Sequence, residues 1–291
     1  MPLQISIGHL SLTVPAKPLS HSSYSLYGDV IQNPRSNLLP PASTQTLSSL
    51  PYDAVSANQG SAIKYQHVSR PRNLYSEAPS RIPSELAMSM FVSRVRPLIP
   101  AHELKTRGDG DSSTSNSRIL PTGEDEGSLE EVNTTFLRDQ SQSRQSSYFP
   151  VTILERHPFT TQTFIPLASH TRYLVIVAPS LPSPSYPALP TPSRARDIPG
   201  PGLPDLSKLE AFIATGDQAI TYGAGTWHAP MVVLGAEDEK MDFVVVQHQN
   251  GVPHEDVQEV VLQSEDAEAG ILVEVKEGRR EGTKSKVRAR L

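Results

Sequence analysis

The apolar positions of this chain fall into short runs separated by turn residues. Tyr173-Leu-Val-Ile-Val177 is a continuous, largely β-branched run that reads as a buried strand. Ser89 to Arg96, Tyr148 to Glu155 leading into Phe164 and Ile165, Gln218 to Tyr222, Met231 to Leu234 and Asp242-Phe-Val-Val-Val-Gln247 continue the series. Gly216-Asp217, Gly223-Ala-Gly225 and Gly235 supply the turns between them. One short helix is predicted over Asp205 to Ala214. There Asp205 can cap the first turn, and Leu206, Leu209 and Phe212/Ile213 share a face. Many short strands, few helices and no βαβ rhythm predict an all-β barrel or sandwich.

The pattern lapses in four places. From His102 to Ser147 the chain is polar and of low complexity, as in Arg107-Gly-Asp-Gly-Asp-Ser-Ser-Thr-Ser-Asn-Ser117. Such a stretch buries too little apolar area to offset its ordering entropy, so a disordered insertion is expected over 102–147. Prolines at 179, 182, 184, 187, 190, 192, 199, 201 and 204 predict an extended surface loop over 179–204. Asn33 to Ser49 reads as loop, and Lys276 to Leu291 as a flexible basic tail. The remainder of 1–275 reads as one domain.

Composition narrows the function classes. Apolar residues make up 37% of the 291 positions, and 27 prolines are present, which suits one ordinary core carrying insertions. A net charge of −5 leaves no basic footprint for nucleic acid or for anionic lipid. The absence of cysteine excludes disulfides, thiolate catalysis and Cys-based zinc sites. Met1 to Val14 lacks the basic start and long apolar core of a signal peptide, and no apolar run approaches the ~18 residues of a membrane span. A cytoplasmic protein is the expectation.

Two clusters could carry chemistry. In Leu154-Glu-Arg-His-Pro-Phe-Thr-Thr-Gln162, a strand would turn Glu155 and His157 to one face and Arg156 to the other. Two titratable groups on one face can share a proton or a metal; the same triplet could equally be a solvated edge. In Thr221-Tyr-Gly-Ala-Gly-Thr-Trp-His-Ala-Pro230, two glycines precede the only Trp, and His228 is restrained between that Trp and a nearby Pro. His228 is a candidate acid or base there, or a core histidine in an aromatic corner. Gly108-Asp-Gly-Asp111 lacks the full pattern of a calcium loop. No phosphate loop, dinucleotide fingerprint or nucleophile elbow occurs.

At these clusters the sequence resembles the ureidoglycolate lyase family. The matching blocks, in order, are Tyr27-Gly-Asp-Val-Ile31, Ala57-Asn-Gln-Gly-Ser-Ala-Ile-Lys-Tyr65, Leu154-Glu-Arg-His-Pro158, Thr161-Gln-Thr-Phe-Ile-Pro166, Pro204-Asp-Leu-Ser-Lys-Leu-Glu-Ala-Phe-Ile213, Gly225-Thr-Trp-His-Ala-Pro230 and Asp242-Phe-Val-Val-Val246. The resemblance implies a cupin-like double-stranded β-barrel, a homodimer, and cleavage of ureidoglycolate to glyoxylate and urea at the end of allantoin breakdown. It puts Glu155, Arg156, His157, Gln162, Tyr222, His228 and Asp242 around or near the pocket. Where relatives often have further histidines, this chain has Gly223 and Ala229, so the expectation carries no metal and no other cofactor.

The implied substrate is a carbinolamide, and its cleavage needs a base for the hydroxyl proton, an acid for the departing urea nitrogen and a cation for the carboxylate. The expected base is His228 or His157, with Glu155 as its partner or as the acid. Arg72 or Arg156 would hold the carboxylate bidentately, with Lys64 as a further cation. Gln162, Tyr222, Asn58 and Asp242 complete the expected substrate-binding set. Two rivals are an amidohydrolase that releases ammonia from the same substrate and a cupin-like binding protein without activity.

Overall fold

Every residue from Tyr173 to Ala178 is buried, and that run is the backbone of the larger sheet. The computed structural model describes residues 2–108, 146–168, 171–185, 188–193, 199–266 and 269–276. Most of the expected 102–147 insertion and of the 276–291 tail therefore lies outside the described residues. The chain divides into two compact units, Met1–Pro97 with Pro150–Val273, and Leu98–Phe149 with Glu274–Leu291. In the second unit, β8 (Ile99–Pro100) pairs antiparallel with β9 (Ser146–Val151) and is followed by a helix at Ala101–Gly108.

The first unit is mostly β, with a few short helices. Its larger sheet has the order β1 (Leu3–Gly8), β18 (Gln258–Ser264), β10 (Ile153–Arg156), β15 (Trp227–His228), β12 (Arg172–Ala178), β13 (Glu210–Thr215) and β3 (Lys17–Pro18). β16 (Val232–Leu234) also pairs with β12. A second sheet has the order β4 (Gly28–Ile31), β14 (Ala219–Tyr222), β11 (Gln162–Pro166), β17 (Lys240–Gln249) and β7 (Glu85–Arg94). β2 (Ser11–Pro15), β19 (Gly270–Lys276) and a hairpin of β5 (Val55–Ala57) with β6 (Ala62–Lys64) complete the strands.

The core lies between the two sheets. Tyr173, Val175 and Val177 of β12, with Phe212 and Ala214 of β13, meet Phe164 of β11, Ile220 and Tyr222 of β14, and Met241, Phe243 and Val245 of β17. Alternate residues of β17 enter this core because successive side chains point to opposite faces. Each fully buried side chain of this size contributes about 1.5–3 kcal/mol. Among the described residues no helix is long and apolar enough to cross a membrane.

The helix expected over Asp205 to Ala214 does not form. Leu206–Lys208 makes one 3-10 turn, and Glu210–Thr215 becomes β13. Its residues pair one by one with β12, from Val177↔Glu210 to Arg172↔Thr215. β12 is buried from Tyr173 to Ala178, so its backbone donors and acceptors require a strand beside them. That demand overrides a helical spacing of leucines that a strand accommodates equally well.

The described ends of the Pro-rich segment are pinned, not loose. Ser180 bridges to Pro204, and Leu181 exchanges backbone hydrogen bonds with Leu203 and Gly202. Arg156 holds this ribbon. It is fully buried, stacks over Trp227 at 4.5 Å, and donates to the carbonyls of Gly200, Pro201 and Gly202. Its Nε also donates to Gln258 Oε1 at 2.8 Å, and Gln258 Nε2 donates to the carbonyl of Pro190.

Candidate active site

β10 and β15 create the site by lying side by side. Their antiparallel register sets Glu155 directly opposite His228. His157 follows β10 by one residue, so it shares a face with Glu155, while Arg156 takes the opposite face. The turn that delivers His228 depends on Gly225, whose φ of 81° favours glycine. Gly225 N–H donates to the carbonyl of His157 at 2.8 Å, tying the two histidine segments together.

The geometry defines both imidazoles. His157 Nδ1 lies 2.7 Å from the carbonyl of Asp256, and His228 Nδ1 lies 2.9 Å from that of Thr226. A carbonyl only accepts, so in both rings Nδ1 carries the proton and Nε2 presents a lone pair. The Nε2 atoms of His157 and His228 are buried without a hydrogen-bond partner among the described residues. His228 Nε2 is 3.6 Å from Glu155 Oε1, an ion-pair distance longer than a hydrogen bond. The histidine ring centroids are 5.6 Å apart, and Tyr222 stacks on His228 at 3.8 Å with an interplanar angle of 12°.

Gln162 sits opposite Tyr222 on the neighbouring strand and donates through Nε2 to Gln247 Oε1 at 2.6 Å. Its Oε1, the hydroxyl of Tyr222 and the hydroxyl of Tyr24 are also buried without partners among the described residues. Five orphaned polar atoms gathered at one end of an apolar core mark a place where something polar is meant to bind.

Electrostatics separate the roles. Burial, reinforced by the neighbouring His228, lowers the pKa of His157 to about 4, so this ring is neutral at neutral pH. Burial pushes the Glu155 carboxyl up, but His228 and His157 together outweigh it and hold the group below its usual value. Glu155 is therefore ionised. Burial raises Tyr222 well above 10, so its hydroxyl stays a donor.

Glu155, His157 and His228 each offer one ligand atom, all within 4.8 Å of one another. Two imidazole nitrogens and one carboxylate, with each Nδ1–H anchored on a carbonyl, fit a divalent cation. The expectation of a metal-free pocket rested on finding only single histidines at each motif; the fold brings those two single histidines together.

The other expected residues divide. Gln162 and Tyr222 join the cluster. Arg156 does not, being committed to the Pro-rich ribbon on the far face. Asp242 lies outward on β17 and is paired with Lys240 at 2.9 Å. The backbone of Arg72 is bonded to Thr161, one residue before Gln162. Asn58 forms the β5–β6 turn with a φ of 48°, and Lys64 is exposed opposite Val55; none of the described contacts joins either to the cluster. A cleft of about 860 Å³ touches Thr226 but has none of Glu155, His157 or His228 in its walls. The orphaned acceptors, not the volume, locate the chemistry.

Tyr24, Gln247 and the Asp256 carbonyl were missed by sequence reading. Gln247 had a usable signal: it continues the inward alternation Met241, Phe243, Val245 with a polar group. Tyr24 and Asp256 had none, since both reach the site through tertiary packing.

A family model described as ureidoglycolate lyase matches residues 11–268. The chain belongs to the ureidoglycolate lyase family. It is similar to the ureidoglycolate lyase of Saccharomyces cerevisiae, 29% identical over 242 residues, which span 82% of this chain and 87% of that protein. With that of Schizosaccharomyces pombe it is 41% identical over 113 residues, 38% of this chain and 48% of the relative. With that of Burkholderia mallei the figures are 39% over 98 residues, 34% and 43%. The matched segment thus spans about half of the Schizosaccharomyces pombe relative and most of the Saccharomyces cerevisiae one.

Proposed function

We propose that this protein is a ureidoglycolate lyase that eliminates urea from ureidoglycolate to leave glyoxylate. Family membership supports the substrate, and one observation supports the chemistry: the Nε2 lone pairs of His157 and His228 are buried and unsatisfied beside an ionised Glu155. The reaction moves a proton from the substrate hydroxyl to the departing urea nitrogen while the C–N bond breaks and a C=O bond forms. His228 Nε2 takes the hydroxyl proton and returns it to that nitrogen. Glu155, at 3.6 Å, stabilises the imidazolium between the two transfers.

His157 remains neutral and accepts a hydrogen bond from the substrate. Gln162 Oε1 accepts from a urea N–H, and Tyr222 donates. Arg72 is the cation for the carboxylate, because its backbone is tied to Thr161 beside Gln162. In the alternative reading, a divalent cation held by Glu155, His157 and His228 would take up those lone pairs and supply positive charge for the substrate's oxygens in place of the His228 relay. The two sheets sharing one core support a cupin-like barrel. A cytoplasmic homodimer completes the reading.

The test is a product assay with purified protein. Equimolar glyoxylate and urea are expected; ammonia in place of urea would make the protein an amidohydrolase, and no turnover would make it a binding protein. Repeating the assay after chelation decides the role of the Nε2 atoms. Retained activity supports the proton relay; loss restored by a divalent cation reassigns them to metal ligation.

A further inference from the structure

Tyr24 ends a four-residue helix, His21–Tyr24, whose first turn is capped by Ser20 Oγ accepting from the Ser23 N–H at 3.2 Å. The Tyr24 carbonyl accepts from the Tyr27 N–H at 2.9 Å, which ties the helix to the start of β4. These bonds fix a ring that is fully buried in the core between the two sheets. The ring meets Phe212 edge-on at 5.7 Å and Tyr222 at 6.5 Å between centroids. Tyr222 in turn stacks on His228, so Tyr24 is one ring removed from the proposed base.

The Tyr24 hydroxyl has no role in the steps set out above. Tyr173 lies in the same core and gives its O–H to the Gln218 carbonyl at 2.6 Å. The hydroxyls of Tyr24 and Tyr222 reach no partner among the described residues, and neither does Gln162 Oε1, across the strand pair from Tyr222. A buried O–H without an acceptor destabilises the fold, and a phenylalanine would avoid that cost. A hydroxyl kept in such a place fits an acceptor that arrives with a ligand. Burial raises both phenols well above 10, so both remain donors.

We propose that Tyr24 and Tyr222 donate together to the carbonyl oxygen of the substrate's ureido group while Gln162 Oε1 accepts from its N–H, so that Tyr24 helps select for that group. The assignment rests on the lyase reading for the identity of the substrate. A carbonyl oxygen has two lone pairs and accepts from two donors at once. Two neutral donors beside one neutral acceptor therefore match a urea in kind and number. They do not match a carboxylate, which has no N–H for Gln162 Oε1. The orphaned atoms include no cation, and the ionised Glu155 beside Tyr222 disfavours a second negative charge there. The carboxylate of the substrate thus lies away from the two phenols. A ligand without the ureido carbonyl leaves both buried hydroxyls unpaired, and discrimination of this kind is strong where a site is built to hydrogen-bond.

Titration calorimetry compares the full chain with Tyr24→Phe, which keeps the ring and its packing. The probes are N-carbamoylglycine and glyoxylate. The first has a ureido group and a carboxylate but lacks the hydroxyl that the elimination needs; the second has no ureido group. The expected result is a Kd for N-carbamoylglycine raised about 10-fold, with that for glyoxylate unchanged within about two-fold. The thermal midpoint of the variant should equal or exceed the parent's, because an unpaired buried hydroxyl has been removed. A parent that does not bind N-carbamoylglycine overturns the proposal, as does an unchanged Kd or an equal weakening of both probes. A midpoint well below the parent's also overturns it, since the hydroxyl would then already have a partner within the fold. Turnover of ureidoglycolate is followed separately. A chain that releases no urea yet binds N-carbamoylglycine through Tyr24 loses the lyase reading and keeps the subsite. A lyase whose binding ignores Tyr24→Phe keeps the reading and loses the subsite.

Discussion

His157 donates its Nδ1–H to the backbone carbonyl of Asp256 at 2.7 Å. That carbonyl is itself held in place. The Asp256 carboxylate accepts from the Tyr75 hydroxyl at 2.6 Å and from the N–H groups of Asn250 and Gly251 at 2.8 Å. The neighbouring Glu255 is buried and accepts from Ser80 and Asn250. A turn far from β10 in sequence thus sets the tautomer of a histidine in the site.

Tyr75→Phe removes the hydroxyl that bonds Asp256 and the His248 carbonyl. We expect a stability loss of about 1–2 kcal/mol. A lower kcat with little change in KM is expected as well, since the substituted group never touches substrate. Steady-state kinetics beside urea denaturation check both; unchanged kcat would remove the turn from the positioning of His157.

His157 also makes stability depend on pH. Its pKa is about 4 in the folded chain against about 6.5 when unfolded. Between those values the unfolded state binds more protons, so stability rises with pH. The contribution is full above about pH 6.5 and is lost as pH falls toward 4, up to about 3 kcal/mol in the limit. Glu155, held below its usual value, acts with the same sign at lower pH: its stabilisation is present above the unfolded carboxylate range and is lost on further acidification. Urea midpoints from pH 7.5 to 4.5 should fall, and His157→Asn should flatten the slope above pH 5.

His228→Ala should lower kcat by about 10²–10⁴-fold, the usual range for losing a positioned acid–base group. Glu155→Gln keeps the shape but not the charge that stabilises the imidazolium, so kcat should fall while the chain remains folded. Glyoxylate release measures both; near-full activity in His228→Ala would sink the assignment of the base.

Arg156→Met should cost about 3 kcal/mol, because it strands the carbonyls of Gly200 and Pro201 together with Gln258 Oε1 and leaves the Gly202 carbonyl only its bond from the Trp227 indole N–H. Arg156→Lys should recover only part, since an ammonium cannot span that fan of acceptors. Limited proteolysis should cut the Pro-rich segment faster in both variants. A cleavage rate equal to the parent's would show that the ribbon does not depend on Arg156.

Local chemistry made several features legible before any fold was known. The run Tyr173 to Val177 read as a buried strand, because a continuous, largely β-branched run has no solvent-facing side. The alternation of β10 put Glu155 and His157 on one face and Arg156 on the other, because strand geometry has a period of two. The two motifs around residues 155 and 228 were visible as polar groups set in apolar sequence.

Tertiary structure alone decided how these pieces combine. Only pairing with β12 made Glu210–Thr215 a strand, since the need came from a partner more than thirty residues away. The insertion of β15 between β10 and β12 brought His228 across from Glu155 and turned two single histidines into one three-donor site. The same stacking sent Arg156 to hold a proline-rich ribbon on the far face. A sequence specifies which face each side chain takes along its own strand; which strand lies beside it depends on how the whole core packs.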